Sequence, residues 1–404
     1  MENNQMTIKG GEFTAATQSI IDDLLLYFEK NKKSFDFSDV RDDKGLQYVN
    51  LVQEGGGVLG IALVGYTYIL EIMGIRFLSL AGTSAGSINT LFLGALGKPN
   101  SIKSPIVVEL IANKDFNEFV DGGKDAQRLV KALFSDRKAV QTVGGTLSTL
   151  RNIDDIKNKM GLNPGNDFYN WLDTNIGHAT VQQVLDNMND LPESLKKQNI
   201  KAKMAVVAAD LTTETKVVFP AMGDLYFKNT AQEPAAKFIR CSMSVPVFFE
   251  PVKVDISKIE KTTNYKEKWI KTAGYTGEIP PSVYFVDGGT LSNFPIDAFV
   301  NDPQTPARPT FGIKLGFDRN RYNTLDSALD ILGVSFDAAM QLRDFEFIQS
   351  HVAYKNSIGY VDTGTYHWLD FDLTTAEKID LFVRGAKAAA DFLKKFDWAK
   401  VKGS

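Results

Sequence analysis

The sequence predicts a three-layer α/β/α protein with a mostly parallel central sheet. Apolar runs of strand length at 46–53 and 75–82 each pass through a glycine-containing turn into an apolar segment of helical length. A strand, turn and helix repeated twice form a βαβα unit, whose crossover connection makes the two strands parallel. Further apolar runs predict strands at 201–211, 216–220, 282–289 and 310–317.

Helices are predicted before, between and after these strands in the sequence. Apolar residues recur at helical spacing within 14–31, and five of them share one face: Ile20, Ile21, Leu24, Leu25 and Phe28. Helices are also expected over most of 105–195 and from 325 onward. We therefore divide the chain into an N-terminal helical extension at 1–45, one main domain at 46–395 and a tail at 396–404.

The composition is that of an ordinary globular protein. Of the 404 residues, 44% are hydrophobic and 23% charged, and the formal net charge of −4 does not favour nucleic acid as a partner. Cys241 is the only cysteine, so no disulfide can form within the chain. The most apolar window, 58–74, contains Glu71 and is shorter than the roughly 20 residues of a membrane span. We expect a soluble, cytoplasmic protein without a signal peptide or transmembrane anchor.

The stretch "NLVQEGGGVLG", residues 50–60, places three glycines directly after a buried strand. Glycine N–H groups can approach a substrate closely, and at the start of a helix they favour negative charge. The run is therefore a candidate oxyanion hole, with a phosphate-binding turn or a tight strand–helix connection as alternatives. Gly55, Gly57 and Gly60 also fit G-x-G-x-x-G, but no acidic residue ends the second strand as dinucleotide binding requires.

The second turn, "GTSAG" at 82–86, has the G-x-S-x-G spacing of a nucleophile elbow. Its glycines allow a sharp turn between strand and helix, so that the hydroxyl of Ser84 is presented at a helix N-terminus. The alternative is that Ser84 is only an N-cap after a tight turn.

A candidate base is Asp287, which ends the apolar run of "VDGGTLSNFP". Its simplest alternative role is that of a turn residue, since Asp-Gly is common in turns. The chain has three histidines, His178, His351 and His367, and none of them stands in a glycine-rich loop. No His/Cys/Asp cluster has metal-ligand spacing around these motifs.

The motifs "EGGGVLG", "GTSAG" and "DGG", in this order, resemble the patatin-like phospholipase family, and the resemblance covers roughly 46–395. It implies a Ser–Asp dyad in which Ser84 is the nucleophile and Asp287 the base. It also implies an oxyanion hole at Gly55, Gly56, Gly57 and Ala85, with no cofactor and no metal. The family usually has Arg or Lys where this chain has Leu59, which bears on the preference for a phosphate head group.

The resemblance implies hydrolysis of acyl esters of lipids, most simply phospholipids or lysophospholipids, at a peripheral membrane site. A protein activator would be compatible with it. Two alternatives stay open. One is an α/β-hydrolase with a Ser-Asp-His triad, completed by His351 or His367. The other is a lipid-binding protein on the same fold without catalytic activity.

The segment 253–281 is lysine-rich and interleaved with Tyr265, Trp269, Ile270 and Tyr275. Basic residues with interfacial aromatics suit an anionic bilayer surface. We interpret the segment as a surface insertion near the active site that docks on membranes. The alternative is a solvated surface excursion without a function of its own.

Overall fold

The computed structural model describes residues 10–122, 160–260, 262–300, 307–316 and 344–403. Its strands are β1 (Gln47–Gln53), β2 (Ile75–Thr83), β3 (Gly161–Asn163), β4 (Met204–Asp210), β5 (Thr215–Phe219), β6 (Val247–Phe249), β7 (Val252–Asp255), β8 (Ser282–Asp287), β9 (Thr310–Leu315) and β10 (Ile358–Val361). Its helices are α1 (Gly10–Ala15), α2 (Gln18–Lys30), α3 (Gly60–Ile72), α4 (Ala85–Ala95), α5 (Ser104–Asn113), α6 (Asn166–Asn175), α7 (Val181–Met188), α8 (Glu193–Lys196), α9 (Ala235–Ser242), α10 (Thr263–Lys268), α11 (Val352–Lys355), α12 (Thr375–Lys395) and α13 (Trp398–Lys402). Residues 344–350 are also helical.

One sheet organises the molecule, with strand order β10-β9-β1-β2-β4-β8-β7 and β5 also paired to β4. The run from β10 to β4 is parallel, whereas β5, β7 and β8 pair antiparallel with their neighbours. Every residue of β1, β2 and β4 is buried, as expected for parallel strands covered by helices on both faces. The predicted α/β class with a mostly parallel sheet is therefore confirmed.

The strands predicted from apolar runs agree with the structure to within about three residues at either end. Strands β3, β6, β7 and β10 were missed, because a run of only three or four residues gives no clear strand pattern. The predicted helices within 123–159 and 317–343 lie outside the described residues.

The N-terminal and C-terminal segments pack on each other. In α2 the side chains of Ile21, Leu24 and Phe28 are buried, but Leu25 is exposed, so the predicted apolar face is narrower than expected. Near the C-terminus, the buried Trp398 donates a hydrogen bond from Nε1 to Asp39 Oδ1 at 2.8 Å.

The segment 253–281 folds differently from the docking surface predicted for it. Trp269 is only 1% exposed and packs edge-to-face against Tyr226, with ring centroids 5.3 Å apart. Tyr265 is also buried and donates a hydrogen bond to the Leu225 carbonyl at 2.6 Å. These rings are part of the protein core, and the prediction that they contact a membrane surface is wrong.

No helix within the described ranges is both long enough and apolar enough to cross a bilayer.

Helices α3 and α12 cross at very close range. A Cβ added to Gly385 would overlap the Ala62 carbonyl, and one added to Gly65 would overlap the Phe382 carbonyl. We expect Gly385→Ala to lower the free energy of unfolding by about 1–3 kcal/mol, because the overlap must push the helices apart. This loss should appear although alanine favours a helix over glycine by about 1 kcal/mol.

Denaturant unfolding measures the effect. Gly403→Ala is the matched control, since an added Cβ there meets only ordinary contact distances. A Gly385→Ala protein as stable as the wild type would mean that the two helices can separate without cost.

Candidate active site

Ser84 stands in a strained turn between β2 and α4. Its backbone has φ 50° and ψ −121°, a conformation that residues other than glycine rarely adopt and that is found at functional sites. The flanking glycines allow close packing, because a Cβ on Gly82 would meet the Gly86 backbone and a Cβ on Gly86 would meet the Gln53 carbonyl. The sharp turn that G-x-S-x-G predicts is present at this position.

Residues from other parts of the chain hold this turn. The Ser84 N–H donates to Ser242 Oγ at 3.0 Å, and Ser242 Oγ donates in turn to the Val207 carbonyl at 2.6 Å. Thr83 Oγ1 donates to the Ser292 carbonyl at 3.0 Å. Sequence reasoning did not single out Ser242, because nothing in the pattern of α9 indicates which residue faces the serine turn.

Asp287 is brought to Ser84 by strand register. Thr83, the last residue of β2, pairs with Val207, and Asp287, the last residue of β8, pairs with the next residue, Ala208. Strand β2 pairs with 204–207 of β4 and β8 with 208–210, and the two strands run in opposite directions, so their C-terminal ends meet near the middle of β4. The two candidate residues therefore meet although half of the chain separates them in sequence.

The environment of Asp287 raises its basicity. The side chain is 7% exposed, and burial raises the pKa of its carboxyl to about 6, against the opposing effects of the Ser84 hydroxyl and the Gly289 N–H. Oδ1 accepts a hydrogen bond from the Gly289 N–H at 2.7 Å. Oδ2 has no hydrogen-bond partner of normal geometry among the described residues, although the Ser84 hydroxyl is near enough to affect the pKa. Such contacts often tighten only when substrate binds.

The first residue of the glycine loop is held by hydrogen bonds, whereas no described residue holds the N–H groups of the two glycines that follow it. The Gly55 N–H donates to the Asn293 carbonyl at 3.0 Å, and Asn293 Nδ2 donates back to the Gly55 carbonyl at 3.2 Å. The Gly55 N–H is thus engaged, which corrects the expectation that it donates to an oxyanion. Within the described part of the chain, no group accepts a hydrogen bond from the N–H of Gly56, Gly57 or Ala85.

The conformation and surroundings of Gly57 explain why the loop requires glycine at this position. Its φ of +54° lies in the left-handed region, and an added Cβ would overlap the Trp368 carbonyl. That carbonyl already accepts a hydrogen bond from the Val58 N–H at 3.0 Å, so Trp368 covers the loop from outside.

Two spaces meet at Ser84. One is an apolar cavity of about 90 Å³, and the other is a more polar cleft of about 260 Å³ that contains Asp287. Both are lined by Gly57, Ser84 and Val245. The cavity wall includes aromatic side chains that contact one another: Phe92, Phe119, Phe168 and Trp171. Glu54, Leu59, Asn293 and Trp368 line the cleft.

Other predicted site candidates lie elsewhere. Within the described ranges, neither space is lined by His178, His351 or His367, all three of which are exposed, or by any residue of 253–281. The described residues also contain no group of three or more His, Cys, Asp or Glu side chains placed to hold a metal ion.

Residues 51–300 match the family model of the patatin-like phospholipases, which covers more than half of the chain. The chain belongs to the patatin-like phospholipase family. At the level of the family it is thus a lipid acyl hydrolase. YqhO of Bacillus subtilis strain 168 is 29% identical over 353 residues, which are 87% of this chain and 100% of YqhO.

Solved structures of similar fold include two with wide coverage of this patatin-like chain. VipD from Legionella pneumophila has a TM-score of 0.45 and 16% identity, covering 88% of this chain and 69% of VipD. Human GIVD cytosolic phospholipase A2 has a TM-score of 0.44 and 8% identity, covering 98% of this chain and 64% of that one.

Burial of Asp287 should cost this patatin-like protein stability at neutral pH. The folded-state pKa of about 6 exceeds the unfolded value of about 3.9, so the folded state holds the proton more tightly. The wild type therefore loses stability as pH rises from about 4 through 6. Asp287→Asn has no such loss, and we expect it to be more stable than the wild type by about 2–3 kcal/mol at pH 7–8.

Unfolding measured from pH 4 to pH 8 tests this expectation, with the exposed Asp23→Asn as the control. The stability advantage of Asp287→Asn should vanish near pH 4. A variant that is less stable than the wild type across the whole range would show that the carboxylate is not destabilising where it lies.

Proposed function

We propose that the protein hydrolyses carboxylic esters of membrane lipids, namely phospholipids or lysophospholipids, with Ser84 as nucleophile and Asp287 as base. One observation carries this proposal: Ser84 lies where an apolar cavity joins a cleft that contains a buried carboxylate of raised pKa. An acyl chain in the cavity and a head group in the cleft would place the ester carbonyl at Ser84.

The proposed reaction has two steps. Ser84 Oγ attacks the ester carbonyl while Asp287 Oδ2 accepts the hydroxyl proton, and the carbonyl oxygen gains the negative charge. When the intermediate collapses, the alcohol leaves with the proton from Asp287 and the acyl group stays on Ser84. Water then attacks the acyl-enzyme as Asp287 takes its proton, and release of the fatty acid returns that proton to Ser84.

The oxyanion is proposed to bind the N–H groups of Gly56, Gly57 and Ala85. These are the N–H groups at the junction of the cavity and the cleft that no described residue engages. Losing one such donor costs roughly 2.7–4 kcal/mol of transition-state stabilisation in enzymes of this kind. Because the proposed donors belong to the backbone, Leu59 in place of the family's basic residue does not remove them.

A dyad is favoured over a triad because, in the described part of the chain, no histidine lines the cleft beside Asp287. His178 is paired with Asp173 at 2.6 Å, and His351 stacks on Phe347. Replacing each histidine by alanine should therefore spare hydrolysis. A lipid-binding protein without activity is disfavoured by the strained Ser84 backbone, which lipid binding alone would not require.

The test of this function is mass spectrometry of the lipid products formed from mixed phospholipid and lysophospholipid membranes. The wild type should release fatty acid, and Ser84→Ala should lower the rate on the order of 10³-fold or more. Ser101→Ala, a change outside the cavity and the cleft, is the control and should behave as the wild type. A fluorophosphonate probe should label the wild type at Ser84.

Fatty-acid release by Ser84→Ala at the wild-type rate would contradict the assignment of the nucleophile. Absence of both release and labelling in the wild type would favour the lipid-binding alternative.

Membrane contact is proposed at the rim of the cleft rather than at 253–281. Trp368 and Pro246 line the cleft, and Trp368 is 37% exposed. Beside Pro246, Val247 is 43% exposed and has a φ of 70°, which is unusual for a β-branched residue. An exposed indole and exposed apolar side chains around an opening suit the boundary of a lipid layer.

The variant Val247→Asn should weaken membrane contact without changing the rate of ester hydrolysis itself. Asparagine tolerates positive φ better than valine, so we expect the variant to be more stable by about 1 kcal/mol. Activity on phospholipid liposomes should fall by up to roughly tenfold, since burying one valine side chain contributes about 1.5 kcal/mol. Activity on a water-soluble short-chain ester should stay unchanged. If Val247→Asn has wild-type activity on both substrates, or loses the same fraction of activity on both, Val247 is not part of the membrane-contact surface.

A further inference from the structure

A buried lysine stands beside the glycine loop without a place in the proposed chemistry. Lys314, near the end of β9, is 4% exposed, and its Nζ donates to Glu54 Oε1 at 2.9 Å. Glu54 is also buried and immediately precedes the three glycines. Ion pairs taken out of water are expensive, so a buried pair at this position calls for a specific reason.

Glu54 attaches the glycine loop to β9. Its second carboxylate oxygen, Oε2, accepts a hydrogen bond from the Leu315 N–H at 2.6 Å, and its own N–H donates to the Ile313 carbonyl at 3.0 Å. One side chain and one peptide group therefore fix the residue from which Gly55, Gly56 and Gly57 extend.

The loop that follows Asp287 is anchored in the same way by a second buried carboxylate, Asp344. Its Oδ1 accepts from Ser292 Oγ at 3.0 Å, and its Oδ2 accepts from the Phe294 N–H at 2.7 Å. Lys314 is near this anchor too, because its Nζ lies 5.0 Å from the centre of the Phe294 ring. Burial raises the pKa of the Asp344 carboxyl, and the Phe294 N–H, the charge of Lys216, the Ser292 hydroxyl and, least of these, the charge of Lys314 oppose that rise.

The two loops touch between these anchors. Asn293, which separates Ser292 from Phe294, exchanges two hydrogen bonds with Gly55. A shift of either anchor would therefore change how the free N–H groups of the glycine loop stand relative to Asp287. Misplacement of reacting groups by about 1 Å can cost on the order of 10²-fold in rate.

We propose that Lys314 is a positioning residue for hydrolysis, which through its bond to Glu54 and its contact with the Phe294 ring holds the glycine loop and the Asp287 loop in register. This proposal rests on the proposed function. Lys314 also neutralises Glu54, a residue that lines the cleft and whose negative charge would otherwise oppose the charge developing on the substrate oxygen. The assignment does not make Lys314 a catalytic residue, since its ammonium group is engaged with Glu54 and is buried.

The test compares the full-length wild type with Lys314→Met and with the double variant Lys314→Met/Glu54→Gln. Two measurements are made below the unfolding temperature of each protein. The first is kcat and KM on a water-soluble short-chain ester, and the second is amide hydrogen exchange in peptides covering 54–60 and 288–294. Arg308→Met is the control, because Arg308 is a buried basic residue just before the opposite end of the same strand.

In Lys314→Met we expect kcat to fall on the order of 10²-fold with KM within about twofold, since the substrate pockets are retained. Exchange should become faster in both peptides. The double variant should recover thermal stability, because no unpaired charge stays buried, but it should keep the low kcat and the fast exchange. Arg308→Met should match the wild type in kcat and in the exchange of both peptides.

Wild-type kcat in folded Lys314→Met, or unchanged exchange in both peptides, would overturn the positioning role. So would recovery of kcat in the double variant, which would mean that Lys314 acts only by neutralising Glu54. A wild-type protein that neither hydrolyses the ester nor reacts with a fluorophosphonate probe would instead count against the proposed function, while the exchange measurement still reports on the two loops.

Discussion

The pairing of β2 and β8 with consecutive residues of β4 is the constraint from which the rest of the site follows. Thr83 lies opposite Val207 and Asp287 opposite Ala208, so a serine and an aspartate come together at the meeting point of two strand ends. Strand β2 pairs with the first half of β4 and β8 with the second half, and because β2 and β8 run in opposite directions, their C-terminal ends approach each other. The antiparallel strands at this side of a largely parallel sheet therefore matter for the chemistry as much as for the fold.

Two residues of the site are held in states that are unfavourable locally. Ser84 has a strained backbone, and the carboxyl of Asp287 is buried where its pKa rises to about 6. Surrounding groups hold these arrangements in place: Ser242 accepts from the Ser84 N–H, and the Gly289 N–H donates to Asp287. Such unfavourable local states persist only where the neighbouring structure over-determines them. The dense hydrogen bonding around the two candidate residues fits that requirement.

The glycine loop is also held by hydrogen bonds from residues outside it. The outer peptide groups of the loop are engaged by Asn293 and Trp368, whereas the N–H groups of Gly56 and Gly57 are left for a ligand. An apolar cavity opens on one side of these N–H groups and a polar cleft on the other. A molecule with a long apolar chain joined to a polar group through an ester suits this division, since each part would lie in a matching environment.

The sequence alone determined those parts of this protein whose conformation depends on near neighbours. Glycines at 55–57, the G-x-S-x-G turn and the Asp-Gly-Gly turn were identifiable because turn geometry restricts residue type locally. Tertiary structure alone decided the partners that lie far away in the chain, such as Ser242, Asn293 and Lys314. It also decided that Trp269 is core and Trp368 is at the cleft. Burial of an aromatic ring depends on which elements pack against it, and residue type and local charge carry no information about that packing.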